Sequence, residues 1–251
     1  MDDNQNIKLE NEIAEEIIDS VESKASEADI FLIKEMINVG LVYGHKKSRT
    51  NPKFKKFVFT TRNGMEIIDL SKTLSMLDSA AQFLKNQIKE GKMILLVATQ
   101  PAAWDAMEGL AKKFNMPYVK NKWIGGLITN FKVLSGRIEH YKKTQLGMEK
   151  GEFDKYTKKE RVMINKDVAK MKKMFGGLEN LTKSPDAIFL IDTSIKGHNT
   201  AMREAIKMKV PIIGIIDSDD NPDMINYPIP ANDHAKMSIE WIINRIQLNL
   251  E

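Results

Sequence analysis

Three continuous apolar runs most constrain how this chain can fold. They lie within residues 93–98, 187–192 and 211–217, of which the last two end in an aspartate, and none alternates apolar with polar side chains. Such runs are typical of strands that are buried on both faces, as in a parallel sheet. Segments with helical periodicity lie around and between them, at about 71–90, 101–115, 199–208 and 233–249. Strands that alternate with helices predict a doubly wound α/β fold.

Residues 130–180 interrupt this alternation with a polar segment that is dense in Lys and Glu. Gly147 and Gly151 divide it into two helical pieces, and helices joined by a short loop pack antiparallel. We therefore predict an inserted two-helix coiled-coil arm at 130–180, within an α/β sheet domain made of 30–129 and 181–251. Between residues 132 and 173 the arm has thirteen Lys or Arg against six acids, which favours a large external partner. Protein contact through a coiled-coil face, or simple solvation, explains this pattern equally well.

Charge is distributed unevenly along the chain, whose net charge is +4. Residues 1–29 contain ten acidic side chains and only two lysines, so they carry −8 and the remaining residues carry +12. A basic body attracts polyanions, although a basic surface can also serve solubility alone. We predict that residues 1–29 form a flexible acidic N-terminal extension. It either shields the basic surface or docks on a basic neighbouring protein.

Several classes of protein are excluded or disfavoured by what the sequence lacks. The chain has no cysteine, which excludes disulfides, thiol catalysis and cysteine zinc sites. It has no apolar signal segment and no run long enough to span a membrane, so we expect a cytoplasmic protein. Phosphate-binding glycine loops, GxSxG elbows and HExxH motifs are missing, and the four histidines are scattered. We therefore predict no catalytic residue, no metal site and no cofactor.

Four acids near the ends of buried strands weigh against that prediction. Asp192 and Asp217, with Asp219 and Asp220, lie where the carboxyl ends of parallel strands form ligand sites. A magnesium or nucleotide site is conceivable at this edge. Capping of the helices and turns that follow the strands is the favoured interpretation.

The basic segment, residues 45–62, is the first candidate nucleic-acid site. It contains seven Lys or Arg and no acid, with aromatic side chains interleaved. Cations neutralise phosphates, and aromatic rings can stack on unpaired bases. For the phenylalanines a core position is the favoured interpretation, because Phe57 and Phe59 alternate like one face of a strand. The predicted RNA-binding cations are Lys46, Lys47, Arg49, Lys53, Lys55, Lys56 and Arg62.

The joint loop, residues 120–130, is the second candidate site. Lys120 and Lys122 supply positive charge, and the glycine pair that follows Trp123 lets backbone approach a ligand closely. Thr129 or Asn130 can begin the arm, and the amide end of a helix favours an anion. A tight joint between sheet and arm, with the indole packed inside it, explains the same residues. Both interpretations can hold together.

Six motifs occur in order along residues 32–250. They are Gly40–Lys46 with Asn51–Lys53, Arg62–Gly64 with Ile67–Leu70, Trp123–Asn130, Phe153–Lys155 with Thr157–Glu160, Pro185–Ile188, and Asn221–Asp223 with Ile229–Asp233. In this order and spacing they resemble the motifs of the bacterial small-subunit ribosomal protein two family. The acidic extension departs from the family pattern, and so does Tyr43, where phenylalanine is usual.

The resemblance implies a flavodoxin-like parallel sheet flanked by helices, with an inserted coiled-coil arm. It implies a structural constituent of the small ribosomal subunit that binds ribosomal RNA and neighbouring ribosomal proteins, among them ribosomal protein one in many bacteria. It carries no catalytic role. By matching position it places near RNA the residues His45, Lys46, Asn51, Lys53, Arg62, Asn63, Trp123, Thr129 and Asn130.

Two functions of other classes stay open on the residues alone. One is a small-molecule or nucleotide-binding α/β enzyme that uses the strand-edge acids. The other is an adaptor whose arm forms a protein-only coiled coil. Charge segregation and the missing catalytic motifs favour the ribosomal function over both.

Overall fold

The computed structural model of this chain describes residues 16–18 and 26–251. The flexibility predicted for residues 1–29 therefore concerns residues that mostly lie outside the described part. The strands are β1 Tyr43–Lys46, β2 Val58–Arg62, β3 Met65–Ile68, β4 Ile94–Val97, β5 Tyr118–Val119, β6 Ala187–Ile191, β7 Ile212–Ile216 and β8 Tyr227–Pro230. The longer helices are α1 Glu27–Asn38, α2 Leu70–Lys89, α3 Trp104–Lys113, α4 Phe131–Glu149, α5 Lys158–Phe175, α6 Lys196–Met208 and α7 Lys236–Leu250. Within the described ranges, no helix combines the length and apolar character that crossing a membrane requires.

Five parallel strands form the main sheet in the order β5-β4-β6-β7-β8. The first of these strands in the sequence, β4, lies one place from the edge, and the chain winds outward from it in both directions. Counted by appearance, the order is 2-1-3-4-5, which is the flavodoxin arrangement. The predicted α/β fold class is confirmed, and each of the three apolar runs contains one of its strands.

Two hydrophobic cores fill the two faces of this sheet. Side chains of β4 alternate between them, so that Ile94 and Leu96 enter one core while Leu95 and Val97 enter the other. The first core is closed by α1, α2, α3 and α7, and the second by α6 and the base of α4. Full burial of an aliphatic side chain contributes about 1.5–3 kcal/mol relative to exposure, so both faces stabilise the strands.

A small antiparallel sheet, in the order β1-β3-β2, precedes the main sheet. The pair Asn63 and Gly64, of a type favoured in tight hairpin turns, predicts a hairpin here. The hairpin joins β2 and β3, and both residues have positive φ, 49° and 77°. Two-residue hairpin turns require this left-handed backbone, which Asn tolerates and Gly adopts without strain. Gly44 and Pro52 argue against a continuous helix and predict a loop-like basic segment. The segment is more ordered than that, because β1 leads into 3₁₀ turns at Lys47–Arg49 and Phe54–Phe57.

Helix boundaries differ from the predictions where capping groups decide them. Ser71 is a suitable cap for the helix predicted at about 71–90. Helix α2 instead begins one residue early, at Leu70, because Asp69 accepts the backbone N–H of Lys72 at 3.4 Å. Pro101 opens a 3₁₀ turn, so that α3 begins only at Trp104. A helix predicted from residue 199 begins at Lys196.

The inserted segment contains two helices, α4 and α5, which contact each other. Its end returns to the strand from which it departed, because the backbone N–H of Tyr118 donates to the carbonyl of Gly177 at 2.7 Å. A Cβ at position 177 would collide with the carbonyl oxygen of Tyr118, so this return requires glycine. That the helical pair forms a coiled coil stays a prediction.

Candidate nucleic-acid interface

The candidate site lies along the carboxyl edge of the main sheet, where doubly wound proteins usually bind ligands. The joint loop leaves β5, and residues 217–220 leave β7. Because three strand spacings separate β5 from β7, the two loops begin roughly 14 Å apart. The joint loop and the strand-edge acids at 217–220 therefore lie at the same edge of the sheet.

The basic segment is fixed to this edge through Ser218. The backbone N–H of His45 donates to the hydroxyl of Ser218 at 2.7 Å, and that of Asn51 donates to the carbonyl of Ser218 at 2.8 Å. On the core side, Phe54 and Phe57 anchor the segment with buried rings that meet edge to face, their centroids 5.4 Å apart. The segment is thus a platform built on the core, and its backbone is set before any ligand binds.

Most cations of this platform face solvent. Lys53 pairs with Asp223 at 2.6 Å, and Arg62 pairs with Glu16 at 2.7 Å. Asn51 is half-buried, with its side chain accepting the backbone N–H of Lys53, whereas Asn63 is exposed at the hairpin turn. The exposed cations that pair with no acid in the described part of the chain are Lys46, Lys47, Arg49, Lys55 and Lys56. They leave positive charge free for a polyanion.

The aromatic side chains of the segment belong to the core. Phe54 and Phe57 are enclosed, and Phe59 and Tyr43 pack partly against the core on the other face. Of the two interpretations left open by the sequence, core packing is therefore correct for Phe54 and Phe57. Any RNA contact by this segment depends on its cations and polar groups.

The joint loop is held by one carboxylate, that of Glu204 in α6. Its Oε1 accepts the indole N–H of Trp123 at 3.1 Å and the backbone N–H of Gly126 at 2.8 Å. Its Oε2 accepts the backbone N–H groups of Ile128 and Thr129 at 3.2 and 3.3 Å, and the hydroxyl of Thr129 at 3.2 Å. Five donors on one side chain that is 8% exposed fix the loop that leads into α4.

The pKa of Glu204 agrees with a carboxylate whose oxygens are both hydrogen-bonded. Burial raises the pKa of Glu204, but the donors from Gly126, Trp123, Ile128 and Thr129 outweigh it and hold that pKa below its ordinary value. Glu204 belongs to none of the motifs or clusters that are visible in the sequence. A signal was available: Ala201 and Ala205, at helical spacing, share the buried face of α6 with it, and a charge on such a face needs partners.

The remaining predicted residues of the joint loop differ in their surroundings. Trp123 is 5% exposed, so its ring packs inside the joint. Lys120 pairs with Glu108 and lies over the Trp104 ring, 4.8 Å from its centroid. Lys122, Thr129 and Asn130 are exposed, and Asn130 precedes the first residue of α4 without a side-chain capping bond.

Buried aspartates lie beside the platform at the same edge. Asp192, which has a left-handed φ of 64°, accepts the backbone N–H of Ser194 at 2.9 Å and its hydroxyl at 2.7 Å. Asp217 accepts the backbone N–H of Ser218. The aspartates thus cap turns, as expected. They do not cap α6, because the residue before that helix is Ile195, which makes no side-chain hydrogen bond. Asp233 and His234, which the sequence analysis did not pair with these acids, join them here, with His234 Nδ1 2.6 Å from Asp233 Oδ1.

Burial shifts the pKa values of two aspartates in this group, and hydrogen bonding shifts those of the two histidines. Burial raises the pKa of Asp220 to about 7 and raises that of Asp233 well above its usual range. Hydrogen bonding to Asp233 raises the pKa of His234 to about 9, and the Asp217 carboxylate raises that of His45. A cleft of about 380 Å³ opens onto the group, and its lining includes His45, His234 and Arg49.

The fold and this edge define a class: a doubly wound α/β protein with a cationic platform at its strand edge and a helical insert beside it. Comparison with known proteins makes the assignment specific. A family model described as ribosomal protein S2 matches residues 36–250. The small ribosomal subunit protein uS2 of Dictyoglomus thermophilum is 40% identical over 215 residues, covering 86% of this chain and 87% of that protein.

Two further relatives carry the same description. The small ribosomal subunit protein uS2 of Corynebacterium diphtheriae is 38% identical over 213 residues, covering 84% of this chain and 79% of the relative. That of Coprothermobacter proteolyticus is 37% identical over 217 residues, covering 86% and 80%. The chain belongs to the ribosomal protein S2 family, as its motifs predicted.

Proposed function

We propose that this chain is a structural, non-enzymatic component of the small ribosomal subunit that binds ribosomal RNA and neighbouring ribosomal proteins to support translation. The name shared by its relatives places them in that subunit. One observation carries the RNA part of the proposal: unpaired cations stand on a platform whose backbone is fixed by buried rings and by Ser218. We assign the protein to ribosomes in the cytoplasm.

The RNA contacts are assigned to the exposed polar and basic groups of the edge. Phosphate contacts supply most of the affinity, and RNA shape supplies specificity. Residues that are partly or fully enclosed, namely His45, Asn51, Lys120 and Trp123, set the shape of the surface. The groups proposed to face RNA are Lys46, Lys47, Arg49, Lys53, Lys55, Lys56, Arg62, Asn63, Lys122, Thr129 and Asn130.

The inserted segment 130–180 is proposed to act as a coiled-coil arm that reaches other components of the subunit. Apolar side chains exposed on its helices support contact with protein, and they include Val133, Leu146, Val162 and Met163. The arm is also basic, which suits RNA. Ribosomal protein one is proposed as one neighbour of this chain, as the family resemblance implies.

The test replaces three unpaired cations of the platform by alanine: Lys47, Arg49 and Lys55. Tagged protein is followed through sucrose gradients of cell lysate at increasing salt, and binding of the purified chain to small-subunit RNA is measured against salt. Each lost phosphate contact lowers the salt slope by about 0.7–0.9, so the triple variant should lose roughly 2–3 in slope and leave the small-subunit fraction at lower salt.

A matched control replaces three exposed lysines at the carboxyl ends of helices, near the amino edge of the main sheet: Lys89, Lys112 and Lys207. This variant removes the same charge and should behave like the unaltered chain. Equal loss in both variants would mean that net charge, and not the platform, binds RNA. Association that survives ribonuclease and high salt would instead identify a protein-only adaptor.

A further inference from the structure

Four buried aspartates converge at the carboxyl edge, on the loops after β6, β7 and β8. The side chains of Asp192, Asp217, Asp220 and Asp233 are only 1–3% exposed. Burying like charges together costs free energy unless a positive group compensates them or a carboxyl takes up a proton. Ionised carboxylates repel RNA phosphates, which carry the same sign, so this group does not serve RNA binding directly.

Compensation by basic side chains is small. Across residues 26–251, no Lys or Arg forms an ion pair with any of these four carboxylates. The cationic contacts come from two imidazoles: His45 Nδ1 lies 2.8 Å from Asp217 and 3.6 Å from Asp219, and His234 Nδ1 lies 2.6 Å from Asp233. His45 Nδ1 is enclosed, yet it makes no hydrogen bond of normal geometry. Two imidazoles among buried carboxylates form a mixed nitrogen and oxygen donor set.

Three of these side chains are already close enough to share an ion. Asp192, Asp233 and His234 each offer one donor atom, and the three atoms lie within 4.8 Å of one another. Around tetrahedral Zn²⁺, with bonds of about 2.1 Å, donors lie roughly 3.4 Å apart. Small side-chain rotations close that difference. The His45 ring stands 5.0 Å from the His234 ring, edge to face, on the side where the cleft admits solvent.

We propose that Asp192, Asp233 and His234 hold a zinc ion at the carboxyl edge of the sheet. Donor chemistry selects the metal, because imidazole nitrogen with carboxylate oxygen suits zinc, whereas Mg²⁺ and Ca²⁺ prefer oxygen alone. With three protein ligands and water in the fourth position of the tetrahedron, the ion ties the loops after β6 and β8 together. It also supports the neighbouring loop, whose Ser218 holds the RNA platform.

The test measures zinc on the full-length chain after chelator treatment, dialysis against Zn²⁺ and removal of unbound metal. A single ion per chain is expected by elemental analysis, and Co²⁺ in its place should give the visible absorption of a low-symmetry site. His234→Ala should abolish both signals. That side chain is 55% exposed, so the variant should fold, which circular dichroism checks.

A matched control is His140→Ala, which removes an exposed imidazole from the arm. It should retain zinc, and Asp192→Asn should lose it. The proposal is overturned if the unaltered chain retains no zinc, if His234→Ala retains as much as the unaltered chain, or if Mg²⁺ outcompetes Zn²⁺. All readouts use isolated protein, so they are independent of RNA binding.

Discussion

Replacing Glu204 by glutamine tests whether one carboxylate organises the joint loop between β5 and α4. The substitution keeps the shape of the side chain but changes one oxygen, an acceptor, into an NH₂ group, a donor. If the NH₂ group replaces Oε1, it faces the N–H groups of Trp123 and Gly126; if it replaces Oε2, it faces those of Ile128 and Thr129. In either orientation at least two donors lose their acceptor.

The magnitude follows from burial. An unsatisfied buried donor costs about 1–3 kcal/mol. One donor in each pair is buried, and the other, Gly126 or Thr129, reaches water more easily. Counting the buried donor fully and the other in part, we expect a loss of about 2–4 kcal/mol in the free energy of unfolding. This is a large share of the roughly 5–15 kcal/mol that a folded protein of ordinary stability has.

Two assays check it. Urea unfolding gives the free energy of unfolding, and amide hydrogen exchange should accelerate at Gly126, Ile128 and Thr129 while the strands of the main sheet stay protected. Glu149→Gln, at the exposed end of α4, is the matched control and should change stability by less than about 0.5 kcal/mol. If Glu204→Gln were equally mild, with unchanged exchange in the loop, the carboxylate would not be what holds the joint.

Three further predictions concern pH, the hairpin and the platform. The folded pKa of Glu204 lies below its ordinary value of 4.5. Its contribution to the free energy of unfolding is therefore complete above pH 4.5 and is lost as pH falls through the folded pKa. The difference in free energy of unfolding between the unaltered chain and Glu204→Gln, measured by urea unfolding at several pH values, should narrow on acidification. Gly64→Ala should destabilise by about 1–2 kcal/mol because φ is 77°, whereas Gly109→Ala, in α3 with open space around it, should stabilise by about 0.5–1 kcal/mol; equal thermal shifts would contradict this backbone argument. Phe54→Ala should cost about 3–5 kcal/mol and weaken RNA binding, but leave its salt slope unchanged, because the ring supports the platform and contacts no phosphate; a reduced slope would show that cations were lost as well.

The fold was predictable because its strands are buried on both faces. Residues 93–98 and 211–217 are continuous apolar runs, and a run buried on both faces has few alternatives to a parallel sheet. The hairpin turn at Asn63 and Gly64 was predictable for a local reason, since few residue pairs tolerate positive φ twice. In both, the information lies within a few neighbouring residues.

The site was less predictable because its contacts join residues far apart in sequence. Glu204 meets the joint loop 75 to 81 positions away, and no local pattern indicates which loop a buried carboxylate will serve. His234 lies next to Asp233 but meets Asp192 only through the order of β6, β7 and β8. Phe54 shows a different limit, because an aromatic ring among lysines suits both a core and a base-stacking surface.

The return of the insert to Tyr118 has a consequence for how the chain folds. Strands β4 and β6 pair directly, with Ile94 opposite Ala187, although about ninety residues separate the two strands in the sequence. If the helical pair forms early and closes on Gly177, the effective loop between these strands shrinks from about ninety residues to about thirty-five, which lowers the entropic cost of closure by roughly 0.8 kcal/mol. An insert that folds early then lowers the entropic barrier to pairing β4 with β6. The length of the arm can vary while the rate at which the central strands meet stays nearly the same.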